Sequence, residues 1–135
     1  MQPGSPVSVL AILPSPEDRR SLRSIFQHSK WDLRVAENLQ KARELLRRSL
    51  SGLVLSDSSL PDGDWQDVLA EVRRTPSEPP LVVCSRSADE RLWAEVLNLG
   101  GYDVLATPFE TQEVVRSVSQ AWRHWRDTLF AGGAS

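Results

Sequence analysis

The stretch Leu53-Val54-Leu55-Ser56-Asp57-Ser58-Ser59-Leu60-Pro61-Asp62-Gly63 decides how the chain is read. A short apolar run halts on an acid at Asp57, and Pro61 and Gly63 close the polar turn behind it. An apolar run bounded by turn residues reads as a strand buried on both faces. In an open parallel α/β sheet, ligands and chemistry gather at the carboxyl ends of the strands. Asp57 stands where such a fold keeps a reactive group.

Towards the N-terminus the same grammar repeats. Val7 to Leu13 is a second apolar run, interrupted only by Ser8. Ser15 is placed to cap a helix, with Pro16 at its first position and an acid, Asp18, at its third. That helix carries Leu22, Ile25 and Phe26 on one face and runs to about His28. Trp31 to Val35 alternates apolar and polar, the pattern of a strand exposed on one side at a sheet edge. Asn38 can cap a helix whose apolar face is Leu39, Ala42, Leu45 and Leu46.

Towards the C-terminus, a helix from about Asp64 to Arg74 carries Val68, Leu69 and Val72, and residues 75–80 form a proline-rich loop. Leu81-Val82-Val83-Cys84-Ser85 is an apolar strand ending on a hydroxyl. Ser87-Ala88-Asp89-Glu90 reads as a capping box for a fourth helix with Ala94 and Leu97 buried, stopping at Gly100-Gly101. Tyr102 to Ala106 is a short strand broken by Asp103. A fifth helix from Thr111 to Leu129 is expected to bury Val114, Val115, Val118, Trp122 and Trp125. Five alternating β–α units imply one parallel sheet covered on both faces. The charged second and fifth strands belong at its edges. The expected fold is therefore α/β, a flavodoxin-like (βα)5 doubly wound sheet of order 2-1-3-4-5. It occupies residues 7–129, between a flexible N-terminus, 1–6, and a flexible tail, 130–135.

The 135 residues carry a net charge of −2 with no basic block, so neither nucleic acid nor an anionic membrane surface is expected as a partner. No apolar run is long enough to span a bilayer, and the N-terminus lacks the regions of a signal peptide, so the expected location is cytoplasmic. Cys84, the single cysteine, excludes an internal disulfide and reads as a small buried hydrophobe, with redox sensing a minor alternative. His28 and His124 read as surface residues.

In the order 2-1-3-4-5, one rim presents Leu13-Pro14, Asp57, Ser85 and Thr107-Pro108. A flavin or nucleotide phosphate would need a glycine- or hydroxyl-rich turn after the first strand. Leu13-Pro14-Ser15-Pro16 has no glycine and two residues without an amide proton, so no flavin is expected.

Asp57 with Pro61 four residues on, Ser85 ending the fourth strand, Gly100 before the fifth, and Thr107-Pro108-Phe109 after it occur in the order and on the elements of a known pattern. Over about residues 7 to 127 the chain resembles the receiver domain of bacterial two-component response regulators. The resemblance implies that Asp57 accepts a phosphoryl group from a histidine kinase and that Ser85 contacts the phosphoryl oxygen. It also marks departures. The paired acids that hold Mg²⁺ in the family fall at Leu13 and Pro14, neither of which can ligate a hard cation. The family's lysine falls at Thr107, its switch aromatic at Val104, and its glycine after the acceptor loop at Trp65. No cofactor is expected, Mg²⁺ only if the acidic site is rescued. Arg86 is the candidate charge substitute, and Glu17, Asp62 and Asp64 are the candidate stray carboxylates.

Trp93 is expected to point away from the core, on the face of the fourth helix, fifth strand and fifth helix, which the family uses for dimers and partners. The resulting expectation is an atypical receiver in two-component phosphorelay signalling, not an enzyme. Its partners would be a histidine kinase or another signalling protein, with a possible homodimer through the Trp93 face, and its output protein–protein contact. The alternative is a pseudo-receiver that binds a partner without phosphorylation or Mg²⁺. A small flavodoxin-like enzyme ranks behind both.

Overall fold

The structure, a computed structural model, describes residues 7–48 and 51–134, with side chains as far as residue 128. The expected flexible residues 1–6 lie outside the described residues. Five strands, β1 (Ser8–Ile12), β2 (Asp32–Ala36), β3 (Leu53–Asp57), β4 (Leu81–Ser85) and β5 (Asp103–Ala106), pair in parallel in the order 2-1-3-4-5. The helices are α1 (Pro16–Gln27), α2 (Leu39–Arg48), α3 (Trp65–Arg73), α4 (Glu90–Leu99) and α5 (Thr111–Ala134).

Strand alternation divides the apolar residues between two cores. Val9, Ala11, Leu53, Leu55, Val82 and Cys84 face one side, where Leu22 and Phe26 of α1 and Val114, Val118 and Ala121 of α5 cover them. Leu10, Ile12, Val54, Leu81 and Val83 face the other, under Leu39 and Ala42 of α2, Val68, Leu69 and Val72 of α3, and Val96 of α4. Each of these Val, Leu, Ile and Phe side chains contributes roughly 1.5–3 kcal/mol on leaving water. Burial on both faces explains the apolar runs Val9 to Ile12, Leu53 to Leu55 and Leu81 to Cys84. β2 lies at the sheet edge as expected, although Arg34 is half-buried like Leu33 and Val35, so neither face is simply exposed.

Several local expectations are corrected. The N-cap of α4 is Asp89, whose Oδ1 accepts from the amide of Leu92 at 2.9 Å; Ser87 instead donates its amide to Ser85 Oγ at 3.0 Å. The helix thus starts later than the Ser87 capping box implied. Val96 is fully buried, while Ala94 is exposed and Leu97 only half-buried. In α5, Val115 is 41% exposed and Ala121 takes the buried position. Trp122 and Trp125 are half-buried, the latter donating its indole N–H to the carbonyl of Ser77 at 3.1 Å. The helical backbone continues to Ala134, past the expected end at Leu129. The expected simple turn after Asp57 holds a small antiparallel ribbon, Ser59–Leu60 with Gly63–Asp64.

Candidate functional site

The sheet reverses its winding between β1 and β3, and a crevice opens beyond the carboxyl ends of their strands at such a switch point. Asp57 ends β3 opposite Cys84 of β4, so Ser85 lies one residue beyond it along the neighbouring strand. The amide of Ser58 donates to the carbonyl of Cys84 at 2.9 Å and carries the β3–β4 ladder one step past Asp57. Asp57 is half-buried, and its Oδ1 accepts from the amide of Ser59 at 3.0 Å. Ser85 is buried and its Oγ is held by the amide of Ser87. Thr107 follows β5, its amide donating to the carbonyl of Ser85 at 3.1 Å. Its hydroxyl is buried with no hydrogen-bond partner among the described residues.

The carboxylate that joins Asp57 is not one of the three proposed from the sequence. Asp62 accepts from the amides of Leu39 and Gln40 at 2.8 and 3.0 Å and so caps α2. These bonds hold its carboxyl below the ordinary carboxylate value. Asp64 caps α3 in a reciprocal box with Asp67. Glu17 is exposed. Asp18 instead is buried in the first turn of α1, within the field of both Asp57 and Arg86. Burial pushes its carboxyl above the usual value, the Arg86 guanidinium pulls it back, and the charges of Asp57 and Glu17 push it up. The sequence carried a signal for this. A helical side chain leans back towards the N-terminus, and the third position of a helix that follows a strand end, here Asp18 in α1, can therefore point back at the rim. The cap reading of Ser15, Pro16 and Asp18 absorbed it. The Ser15 cap itself forms, Oγ accepting from Asp18 N at 3.3 Å.

Leu13 is fully buried and Pro14 half-buried. Their carbonyls both accept from Arg19 Nη1, at 2.8 and 2.9 Å, so a cation of the protein already occupies these oxygens. Among the described residues no three His, Cys, Asp or Glu side chains converge. A hard divalent ion wants several oxygen ligands at short range. The set here is Asp18 and Asp57 with Arg86 in the field of Asp18, and it does not fit Mg²⁺ in the way the paired acids of the family would. Cys84 lies beneath the rim, and burial raises its thiol well above the ordinary value, as a structural cysteine requires.

Comparison with known proteins decides the family. The model of the response regulator receiver domain matches residues 9–119. The chain belongs to the response regulator receiver domain family. This receiver is 29% identical over 108 residues to the response regulator protein PilR of Pseudomonas aeruginosa, covering 80% of this chain and 24% of that one. It is 30% identical over 132 residues to the probable transcriptional regulatory protein TcrX of Mycobacterium tuberculosis, covering 97% and 56%. The chain thus spans about a quarter of the first relative and just over half of the second. The receiver domain of a putative LuxO repressor protein from Vibrio parahaemolyticus superposes with a TM-score of 0.85 over 93% of this chain and 97% of that one, at 18% identity. The flavodoxin-like fold and the two-component receiver assignment stand together.

Trp93 is 51% exposed on α4, beside a shallow cleft with Val104 and Pro108. No helix among the described residues is long and apolar enough to cross a membrane.

Proposed function

We propose that this receiver accepts a phosphoryl group on Asp57 and passes the signal on by protein–protein contact. Receiver domains interact with histidine kinases and can dimerise, and they are generally not enzymes in their own right. The observation that carries the reading is the position of Asp57. It is the half-exposed carboxylate ending the central strand, one residue short of Ser85 on the neighbouring strand, and it acts on the carboxyl of Asp18, which also lies in the field of the Arg86 guanidinium. A carboxylate oxygen of Asp57 attacks phosphorus, the bond from phosphorus to the donor breaks, and an acyl phosphate forms. Phosphoryl transfer is governed by positioning and charge neutralisation. In this pocket Arg86 supplies the cation that Leu13, Pro14 and Thr107 cannot, and Ser85 offers its hydroxyl to a phosphoryl oxygen. Mg²⁺ has no part in this scheme. The output surface is the α4–β5–α5 face around Trp93, and the expected site of action is the cytoplasm.

Intact-protein mass after incubation with a small phosphodonor, with and without Mg²⁺, tests this. A labile phosphoryl adduct on the parent chain and none on Asp57→Asn supports it. Absence of any adduct, with Mg²⁺ and with a histidine kinase as donor, overturns it in favour of a phosphorylation-independent interaction module, the reading that Leu13 and Pro14 favour.

A further inference from the structure

At the end of the sheet opposite Asp57, α2 and α3 both finish beside the 75–80 loop and enclose a cleft of about 540 Å³. Arg43, Arg47, Arg48 and Arg74 line it, with Glu71 as the single acid. Arg43 Nε donates to Glu71 Oε2 at 2.6 Å, so these two neutralise each other. Arg47, Arg48 and Arg74 are exposed and form no ion pair among the described residues. Leu46, Pro76 and Pro79 supply an apolar wall.

Basic residues at a helix C-terminus are favourable by themselves, since they face the negative end of the helix dipole. That accounts for Arg47 and Arg48 on α2 and for Arg74 at the end of α3, each taken alone. It does not account for both helices delivering their unpaired guanidiniums to one cavity, where like charges repel. The chain as a whole is net −2, so this local excess of positive charge runs against its average. The volume is that of a small-ligand pocket, about 300–1,000 Å³. Guanidinium forks match phosphate in bidentate fashion.

We propose that this cleft binds an organic phosphate, its phosphates on Arg47, Arg48 and Arg74 and its apolar part against Leu46, Pro76 and Pro79. The site is independent of Asp57. Phosphoryl groups held here would be bound rather than transferred, because none of the lining residues is placed as an acceptor with a partnering base.

The test is a titration of the ¹⁵N-labelled chain with ADP at low salt, followed by amide shifts, with inorganic pyrophosphate as the second probe. Saturable shifts centred on Ser51 and Arg74 to Ser77 are expected. Arg74→Ala should weaken ADP about tenfold, as loss of one charge-assisted contact does. The triple variant Arg47→Ala, Arg48→Ala, Arg74→Ala should lose saturable binding, and Asp57→Asn should bind as the parent does. All three arginines are exposed, and far-UV circular dichroism verifies that the triple variant is folded. Pyrophosphate should bind more weakly than ADP, which has the apolar part. The proposal is overturned if ADP gives no saturable shifts, if the shifts survive the triple variant, or if Asp57→Asn abolishes them. Pyrophosphate binding as tightly as ADP would overturn the role of the apolar wall.

Discussion

Charged residues at the two ends of this sheet meet different fates. At the carboxyl ends of the strands, most acids are taken up by the fold: Asp62 caps α2, Asp64 caps α3 and Asp89 caps α4. Asp57 is left at the rim, where both it and Arg86 act on the buried carboxyl of Asp18. At the other end Arg43 is paired and Arg73 is bound to the carbonyl of Leu99, while Arg47, Arg48 and Arg74 stay in solvent around one cleft. An acid near the candidate site says little until its capping duty has been subtracted. Glu17, Asp62 and Asp64 looked available in the sequence, yet two of them are structural and the third is solvated. The informative residues at either end are those the fold does not consume.

Substitutions can break this contrast or sharpen it. The largest effect is expected at the rim. Arg86→Ala should slow phosphorylation of Asp57 by a small donor about 10²-fold, the usual cost of removing one electrostatic contact from a reacting centre. A rate unchanged by that substitution would remove Arg86 from the chemistry. Asp64→Ala removes the side-chain acceptor of the Gln66 and Asp67 amides, one half of the α3 capping box, and should cost about 1 kcal/mol. Thermal denaturation would read this as a fall in Tm of about 3 °C; an unchanged Tm would show the cap to be dispensable.

Asp18 gives a pH-dependent prediction. Its carboxyl is raised by burial, so the folded chain holds that proton more tightly than the unfolded chain. Its contribution to stability is present below the ordinary carboxylate value of 3.8 and is lost as pH rises through the raised value. Asp18→Asn should therefore raise Tm at neutral pH, by an amount that shrinks on acidification towards that range. A gain independent of pH would mean that the charge of Asp18 is not what burial penalises. The smallest effect belongs to the opposite end. Arg74→Ala should change stability by less than about 0.5 kcal/mol, as exposed substitutions do; a larger loss would assign that arginine to the fold.

The fold was legible in the sequence because burial on both faces leaves an unmistakable trace. Val9 to Ile12, Leu53 to Leu55 and Leu81 to Cys84 are apolar at every position, and the edge strand around Leu33 and Val35 alternates. Asp57 was legible because strand ends locate themselves once the strands are found. Helix phase was harder to read. Ser87 and Asp89 are both acceptable caps, and the two-residue choice between them changes which side chain of α4 meets the core. Trp93 kept its outward position because it lies away from the buried side under either choice. Asp18 escaped because its neighbours already explained it: an acid three residues after a serine cap is what any helix start prefers. The orphan hydroxyl of Thr107 has no sequence signature, since nothing in Thr-Pro-Phe says whether a partner is within reach.

The carboxylate of Asp62 joins two segments 23 and 22 residues apart in sequence, through the amides of Leu39 and Gln40. Those amides are consequently a natural spectroscopic gauge of the acceptor loop. Their hydrogen-exchange rates and proton shifts register the opening of that loop without a label being placed near Asp57.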